Sequence, residues 1–282
     1  MKLRSGVLII LLTLFSACSS QERAVDVNAS KEHYRLGIEF AQYRLYQNSL
    51  EEFDLAIKTN PENIEAYNKK GLVLFGMKEY DKAGSLFKEV IQRSPKHLQA
   101  HINLGMVHFS NGDQDSAERL WEQAINLTPE DNDSKAHNNL ANLYKHQNLL
   151  DKAIKAYQVA LKLEPQNTLY MNNLADTYRK NGNLKDAESL LTKSLGLNPK
   201  GMLTHFHLGL LYRDQNKWEE AVSAFKTSGQ VNPYQGETFF QLAEAQLHIK
   251  DKTSAIESLQ QAVKINPSNK KYQDRLNTIQ IS

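Results

Sequence analysis

Residues 165–199 read PQNTLYMNNLADTYRKNGNLKDAESLLTKSLGLNP. Two amphipathic stretches of about 12–14 residues flank a central break at RKNGNLKD, and a proline stands at each end. Outward from this stretch the pattern recurs. The chain has seven prolines: Pro61, Pro95, Pro129, Pro165, Pro199, Pro233 and Pro267, spaced 34, 34, 36, 34, 34 and 34 residues apart. No proline falls outside the series, so the repeat organises the whole chain.

Aligning on the prolines aligns the rest. Eight residues before each proline stands a large apolar residue: Phe53, Phe87, Trp121, Tyr157, Leu191, Phe225 or Leu259. Sixteen residues earlier comes Gly37, Gly71, Gly105, Ala141, Ala175, Gly209 or Ala243. Small residues let two helices approach closely, and the large one fills the space between them. Proline cannot continue a helix, so it marks the step to the next unit.

This pattern resembles the tetratricopeptide repeat over residues 30–267. The resemblance implies an all-α, right-handed α-solenoid of seven helical hairpins. Residues 268–282 can add a C-terminal capping helix with Tyr272, Leu276 and Ile279 inward, since a terminal unit has no neighbour to cover it. The two extra residues of the third-to-fourth junction fall at 130–134 and lengthen one turn.

Residues 1–18 are expected to be a signal peptide. Lys2 and Arg4 precede the apolar run GVLIILLTLF, which is shorter than the about 20 residues of a membrane-spanning helix. Small residues then lead to Cys18, the only cysteine. Its place resembles the acylated, palmitate-bearing cysteine of bacterial lipoproteins, although Phe15 stands where that family more often has Leu. Ser19 in place of Asp favours the outer membrane, facing the periplasm. Residues 19–29 lack helical periodicity and are expected to be a flexible tether.

Composition narrows the function. Lys and Arg total 34 against 32 acids, and both excess cations lie before Cys18. The remaining body is neutral and lacks the positive field that nucleic-acid binding needs. No HExxH, GxSxG or phosphate-binding glycine loop is present, and Cys18 is the only thiol, so no enzyme, cofactor or small-molecule substrate is expected. His33, His101, His137 and His205 share one repeat slot, which favours packing over metal binding.

In tetratricopeptide proteins the first helix of each hairpin lines a ligand groove, so those slots carry the specificity. The resemblance makes Asn103, Asn138, Asn139, Asn142, Asn172 and Asn173 a ladder for a peptide backbone, because an amide both donates and accepts. Lys145, Arg179 and Arg213 recur every 34 residues and form a basic row. Phe75, Phe109, Phe206 and Phe240 supply apolar flanks. The expected ligand is a protein segment with an acidic or polar middle.

The layout of acylated cysteine, tether and solenoid implies a membrane-anchored periplasmic scaffold for partner proteins. It is similar to pilotin lipoproteins of type IV pilus secretin assembly, and also to adaptors of peptidoglycan hydrolases. A purely structural envelope role is the other alternative.

Overall fold

The computed structural model describes residues 25–127 and 133–281. Among them are fifteen α-helices and no strand. In chain order they are α1 Val27–Gln42, α2 Tyr46–Thr59, α3 Ile64–Gly76, α4 Tyr80–Arg93, α5 Leu98–Ser110, α6 Gln114–Leu127, α7 Ser134–His146 and α8 Leu150–Leu163. They continue as α9 Thr168–Lys180, α10 Leu184–Leu197, α11 Met202–Asp214, α12 Trp218–Val231, α13 Gly236–His248, α14 Lys252–Ile265 and α15 Lys270–Ile281. The odd helices up to α13 are the first helices of the repeats. Residues 1–18 with Cys18, the start of the tether and most of the 130–134 junction lie outside the described residues.

Helix α1 begins at Val27, three residues inside the stretch expected to be a tether. Asp26 is the cause: its Oδ1 accepts from Ala29 N–H at 2.9 Å and caps the helix. The position two residues after a proline repeats this role, with Asn63, His97 and Asn167 accepting from the first turns of α3, α5 and α9.

The central break of every repeat has one geometry. Arg44, Lys78, Gly112, Asn148, Gly182, Asn216 and Lys250 all take positive φ, between 58° and 85°. Each stands seventeen residues before a proline of the series. A left-handed residue here lets the chain satisfy the last carbonyls of the first helix: Lys78 N–H reaches Phe75 O and Glu79 N–H reaches Leu74 O, both at 2.9 Å. The same pair closes the turn at Lys250. Glycine adopts this conformation without steric cost, whereas lysine does not. Lys78 and Lys250 are both exposed, so no packing is lost on replacing them. Lys78→Gly and Lys250→Gly should each stabilise the chain by about 0.5 kcal/mol, less than the strain relieved because glycine is freer when unfolded. A urea midpoint that falls in both variants would contradict this account.

The described residues fall into two compact units that divide between Val73 and Leu74. In the first, α1 and α2 close on Phe53 and Ala56, which are buried. Ser30 Oγ donates to Ala56 O at 2.8 Å and accepts from Asn63 Nδ2 at 2.9 Å, tying the start of α3 to the hairpin.

In the second unit each hairpin shares its core with the first helix of the next. Ile102 of α5, Trp121 of α6, and Leu140 and Leu143 of α7 form one such cluster. The small slot governs how close the two helices come. A Cβ on Gly105 would lie 2.4 Å from Trp121 Nε1, and one on Gly209 would lie 2.5 Å from the Phe225 ring. Where the slot holds Ala141, Ala175 or Ala243, the facing residue is Tyr157, Leu191 or Leu259. Helix α15 follows Pro267, and its Tyr272 and Ile279 are buried against Phe240 and Leu259, with Leu276 partly so.

Candidate functional site on the odd helices

The residues expected to line a groove sit on the odd helices, but several are not free to meet a ligand. Asn103, Asn138 and Asn172 are buried, at 5%, 8% and 4% exposure. Asn173 Nδ2 donates to Asn138 Oδ1 at 3.1 Å, joining α9 to α7. Asn172 Nδ2 donates to Thr204 Oγ1 at 3.1 Å, joining α9 to α11. Asn142 Oδ1 accepts from the Tyr157 hydroxyl at 2.5 Å, and Asn139 is half-buried. A buried amide must find a partner, and between closely packed helices the nearest one belongs to the neighbouring repeat. Asn138, Asn172 and Asn173 thus brace one repeat to the next, and Asn142 braces α7 to α8 within one hairpin.

The aromatics divide similarly. Phe240 is buried, stacked 5.1 Å from Tyr272 of α15 with Lys271 Nζ 4.0 Å from its ring, so it belongs to the core. Phe75, Phe109 and Phe206 remain half-buried, leaning on Tyr80, Trp121 and Phe225 respectively.

The basic row is not an open row. Asp176 of α9, 7% exposed, lies within it. Arg179 Nη2 donates to Asp176 Oδ1 at 2.8 Å, and Lys145 Nζ of α7 lies 3.5 Å from Oδ2. Lys180 Nζ lies 3.7 Å from the same oxygen. The other edge of Arg179 donates through Nη1 to Asp214 Oδ2. Arg213 donates to Asp214 Oδ1 through Nε at 3.0 Å and Nη2 at 2.8 Å, and through Nη1 to Gln241 Oε1 of α13 at 2.9 Å. One polar network therefore runs across α7, α9, α11 and α13.

Burial and charge set its protonation. Burial would raise the Asp176 pKa, but His207, Arg179 and Lys145 beside it more than offset that and hold the carboxyl below its ordinary value. Burial pushes the Lys145 ammonium below its ordinary value against the pull of Asp176. His207 of α11 is pushed down to about 4 by burial, against the pull of Asp176 and with the push of the neighbouring cations. It is neutral at ordinary pH, with Nδ1 3.8 Å from Asp176 Oδ1, beyond hydrogen-bond reach. Among the described residues Lys145, Arg179, Lys180 and Arg213 pair with two acids, Asp176 and Asp214, so the network keeps an excess of positive charge.

Asp176, Asp214 and His207 were absent from the expected site. Asp176 shares its repeat slot with Asn142 and lies one helical turn before Arg179, and Asp214 follows Arg213 directly. Both were visible as acids next to the very cations singled out.

Two of the four histidines in the shared slot have a local explanation. His101 Nε2 donates to Pro95 O at 3.0 Å and His205 Nε2 to Pro199 O at 2.9 Å, each reaching back to the preceding proline of the series. Among the described residues no group of His, Cys, Asp and Glu is placed to hold a metal, and no helix is long and apolar enough to cross a membrane.

Comparisons place this geometry among known proteins. The family described as "Cilia and flagella-associated protein 70 C-terminal domain" matches residues 97–282, and "Tetratricopeptide repeat" matches residues 62–130. No curated protein matches. Among solved structures, a chain of the APC/C hetero-tetramer Cut9–Hcn1 has a TM-score of 0.72 at 19% identity, over 89% of this chain and 48% of that one. This chain therefore spans about half the length of that relative. PilF of Pseudomonas aeruginosa has a TM-score of 0.64 at 17% identity, over 77% of this chain and 98% of that one. PilW, described as a widely conserved type IV pilus biogenesis factor, has a TM-score of 0.68 at 17% identity, over 76% and 99%. At these identities the likeness is one of fold. The family matches reach further, across well over half of the chain: it belongs to the tetratricopeptide-repeat family typified by the cilia and flagella-associated protein 70 C-terminal domain, and is a scaffold for protein–protein interaction.

Proposed function

We propose that this scaffold is exported, acylated at Cys18 and held at the outer membrane of a bacterial envelope, where it binds a partner protein of type IV pilus assembly. A secretin subunit is the partner this reading names. The layout of signal, lone cysteine and repeats supports the anchor. The fold likeness to PilF and PilW, which cover three quarters of this chain, supports the pilus assignment. The observation that carries the binding site is the excess positive charge on α7, α9 and α11, four cations around two carboxylates, in a body that is neutral overall. An acidic segment of the partner would cross this network, with apolar residues against Phe109 and Phe206. Phe240 takes no part, because α15 covers it.

A charge-assisted hydrogen bond contributes about 1.5–3 kcal/mol when partly desolvated. Arg179→Glu/Arg213→Glu should therefore weaken secretin binding roughly 100-fold. Lys88→Glu, an exposed change on the even helix α4, should leave it unchanged. Affinity should also fall with salt, since a few local charges dominate. The measurement is titration of the purified secretin subunit at two ionic strengths, alongside membrane fractionation of Cys18→Ala. Equal affinity across the three proteins moves the partner off the odd helices, and absence of binding removes the pilus reading. A Cys18→Ala protein that matures normally and stays with membranes removes the anchor.

A further inference from the structure

The acid at the outer edge of the network is out of place by local rules. Asp214 is the last residue of α11, where the helix dipole disfavours an anion. The same slot in the other repeats holds Gln42, Gly76, Ser110, His146, Lys180 and His248, none of them acidic. A position that breaks a local preference in one repeat of seven is where a specific role is to be sought.

The geometry shows what holds it there. The Asp214 carboxylate takes the Nε–Nη2 edge of Arg213 and also receives Arg179 Nη1. Arg179 uses its Nε and Nη2 on Asp176 beneath, so the Nη1 side is what remains for anything arriving from solvent. The two acids differ in depth. The Asp176 side chain is 9% exposed and the Asp214 side chain 28% exposed. Asp176 is a fixed floor, whereas Asp214 can turn out to water by rotation about its own side-chain bonds.

We propose that Asp214 is a built-in competitor for a carboxylate of the partner: in the free protein it occupies the Arg179–Arg213 edge, and an Asp or Glu side chain of the bound segment displaces it. The inference rests on the odd helices being the site of an acidic segment. An incoming carboxylate reproduces both guanidinium contacts, with one oxygen on the Nε–Nη2 edge of Arg213 and the other on Arg179 Nη1, as Asp214 does. A neutral amide cannot, so it leaves Asp214 in place. The competitor therefore lowers affinity for acidic segments, which must displace it, and leaves neutral ones unaffected.

The test uses a labelled hexaglutamate peptide titrated by fluorescence anisotropy against the full chain. Asp214→Asn should bind it roughly tenfold tighter, the worth of one charge-assisted contact no longer displaced. Asp186→Asn adds the same charge on the even helix α10 and should stay within about twofold, as a remote, screened charge does. Hexaglutamine should bind neither variant better than the wild type. If the wild type binds hexaglutamate and Asp214→Asn binds no tighter, or if Asp186→Asn tightens as much, the competitor is overturned and the site stands. If neither the wild type nor Asp214→Asn binds hexaglutamate, both the competitor and the acidic-segment site are overturned.

Discussion

Asp176→Asn should destabilise the second unit by about 3 kcal/mol at neutral pH, because removing one partner of a buried ionic network strands the others. Arg179 and Lys145 keep side-chain exposures of 10% and 20%, so water can compensate them only in part. Asparagine fills the same volume, which separates charge from packing. The network also predicts an acid response with a definite window. His207 has a folded pKa of about 4, below its ordinary value of 6.5. Between those values the unfolded chain binds a proton that the folded chain does not, so stability falls as pH falls from about 6.5 and levels off near 4. The two and a half units amount to about 3 kcal/mol. The Asp176 contribution is lost only at still lower pH, as its carboxyl is held below its ordinary value. Urea midpoints between pH 7 and 4 should slope in the wild type and flatten in His207→Gln. A wild type as stable at pH 4.5 as at pH 7 contradicts the assignment.

Phe225→Ala should cost about 3–5 kcal/mol, the usual loss for emptying a core aromatic site, since Phe225 is fully buried between α11, α12 and α13. Gly209→Ala should cost about 2 kcal/mol. Its new methyl would lie 2.5–2.8 Å from three atoms of the Phe225 ring, and the better helix propensity of alanine offsets only about 1 kcal/mol of the overpacking. The informative variant combines Gly209→Ala with Phe225→Leu. It rebuilds the Ala175/Leu191 and Ala243/Leu259 pairs that the chain already uses. The double variant should lie within about 1 kcal/mol of the wild type, a strong coupling between touching residues. Thermal or urea unfolding of the wild type, Gly209→Ala, Phe225→Leu and the double variant decides it. If the double variant loses the sum of its parts, the slot pairing is not what sets the helix approach.

The hairpins were legible because proline, the small slot and the large slot each answer to one physical demand that recurs at a fixed spacing. What lay between repeats was harder to read. Asn138 and Asn172 are at home both in water and in a satisfied interior, so residue type alone could not show that neighbouring helices cover them. Phe240 looked like a groove residue until α15 was seen to lie against it. Val27 joined α1 because Asp26 offers a cap, a signal that a search for apolar periodicity passes over. Lys145, Arg179 and Arg213 recur as a row in the sequence, and the structure sets an acid against each of them. Asp176 and Asp214 stand beside Arg179 and Arg213 in the sequence, but their contacts to Lys145 and Arg179 cross to the next helix pair, over 31 and 35 residues, and a repeat-by-repeat alignment shows no pairing across that gap.

Those separations have a kinetic consequence. The packing pair Gly209–Phe225 spans sixteen residues, and the ionic contacts between neighbouring repeats span 31–35. Contacts this close in sequence require little loop closure, which places the chain among fast-folding topologies. A repeat of this length takes on the order of seconds to synthesise, whereas helices and short loops form in microseconds. Each hairpin can thus close while the ribosome is still making the next, with only one unpaired face waiting at the growing end.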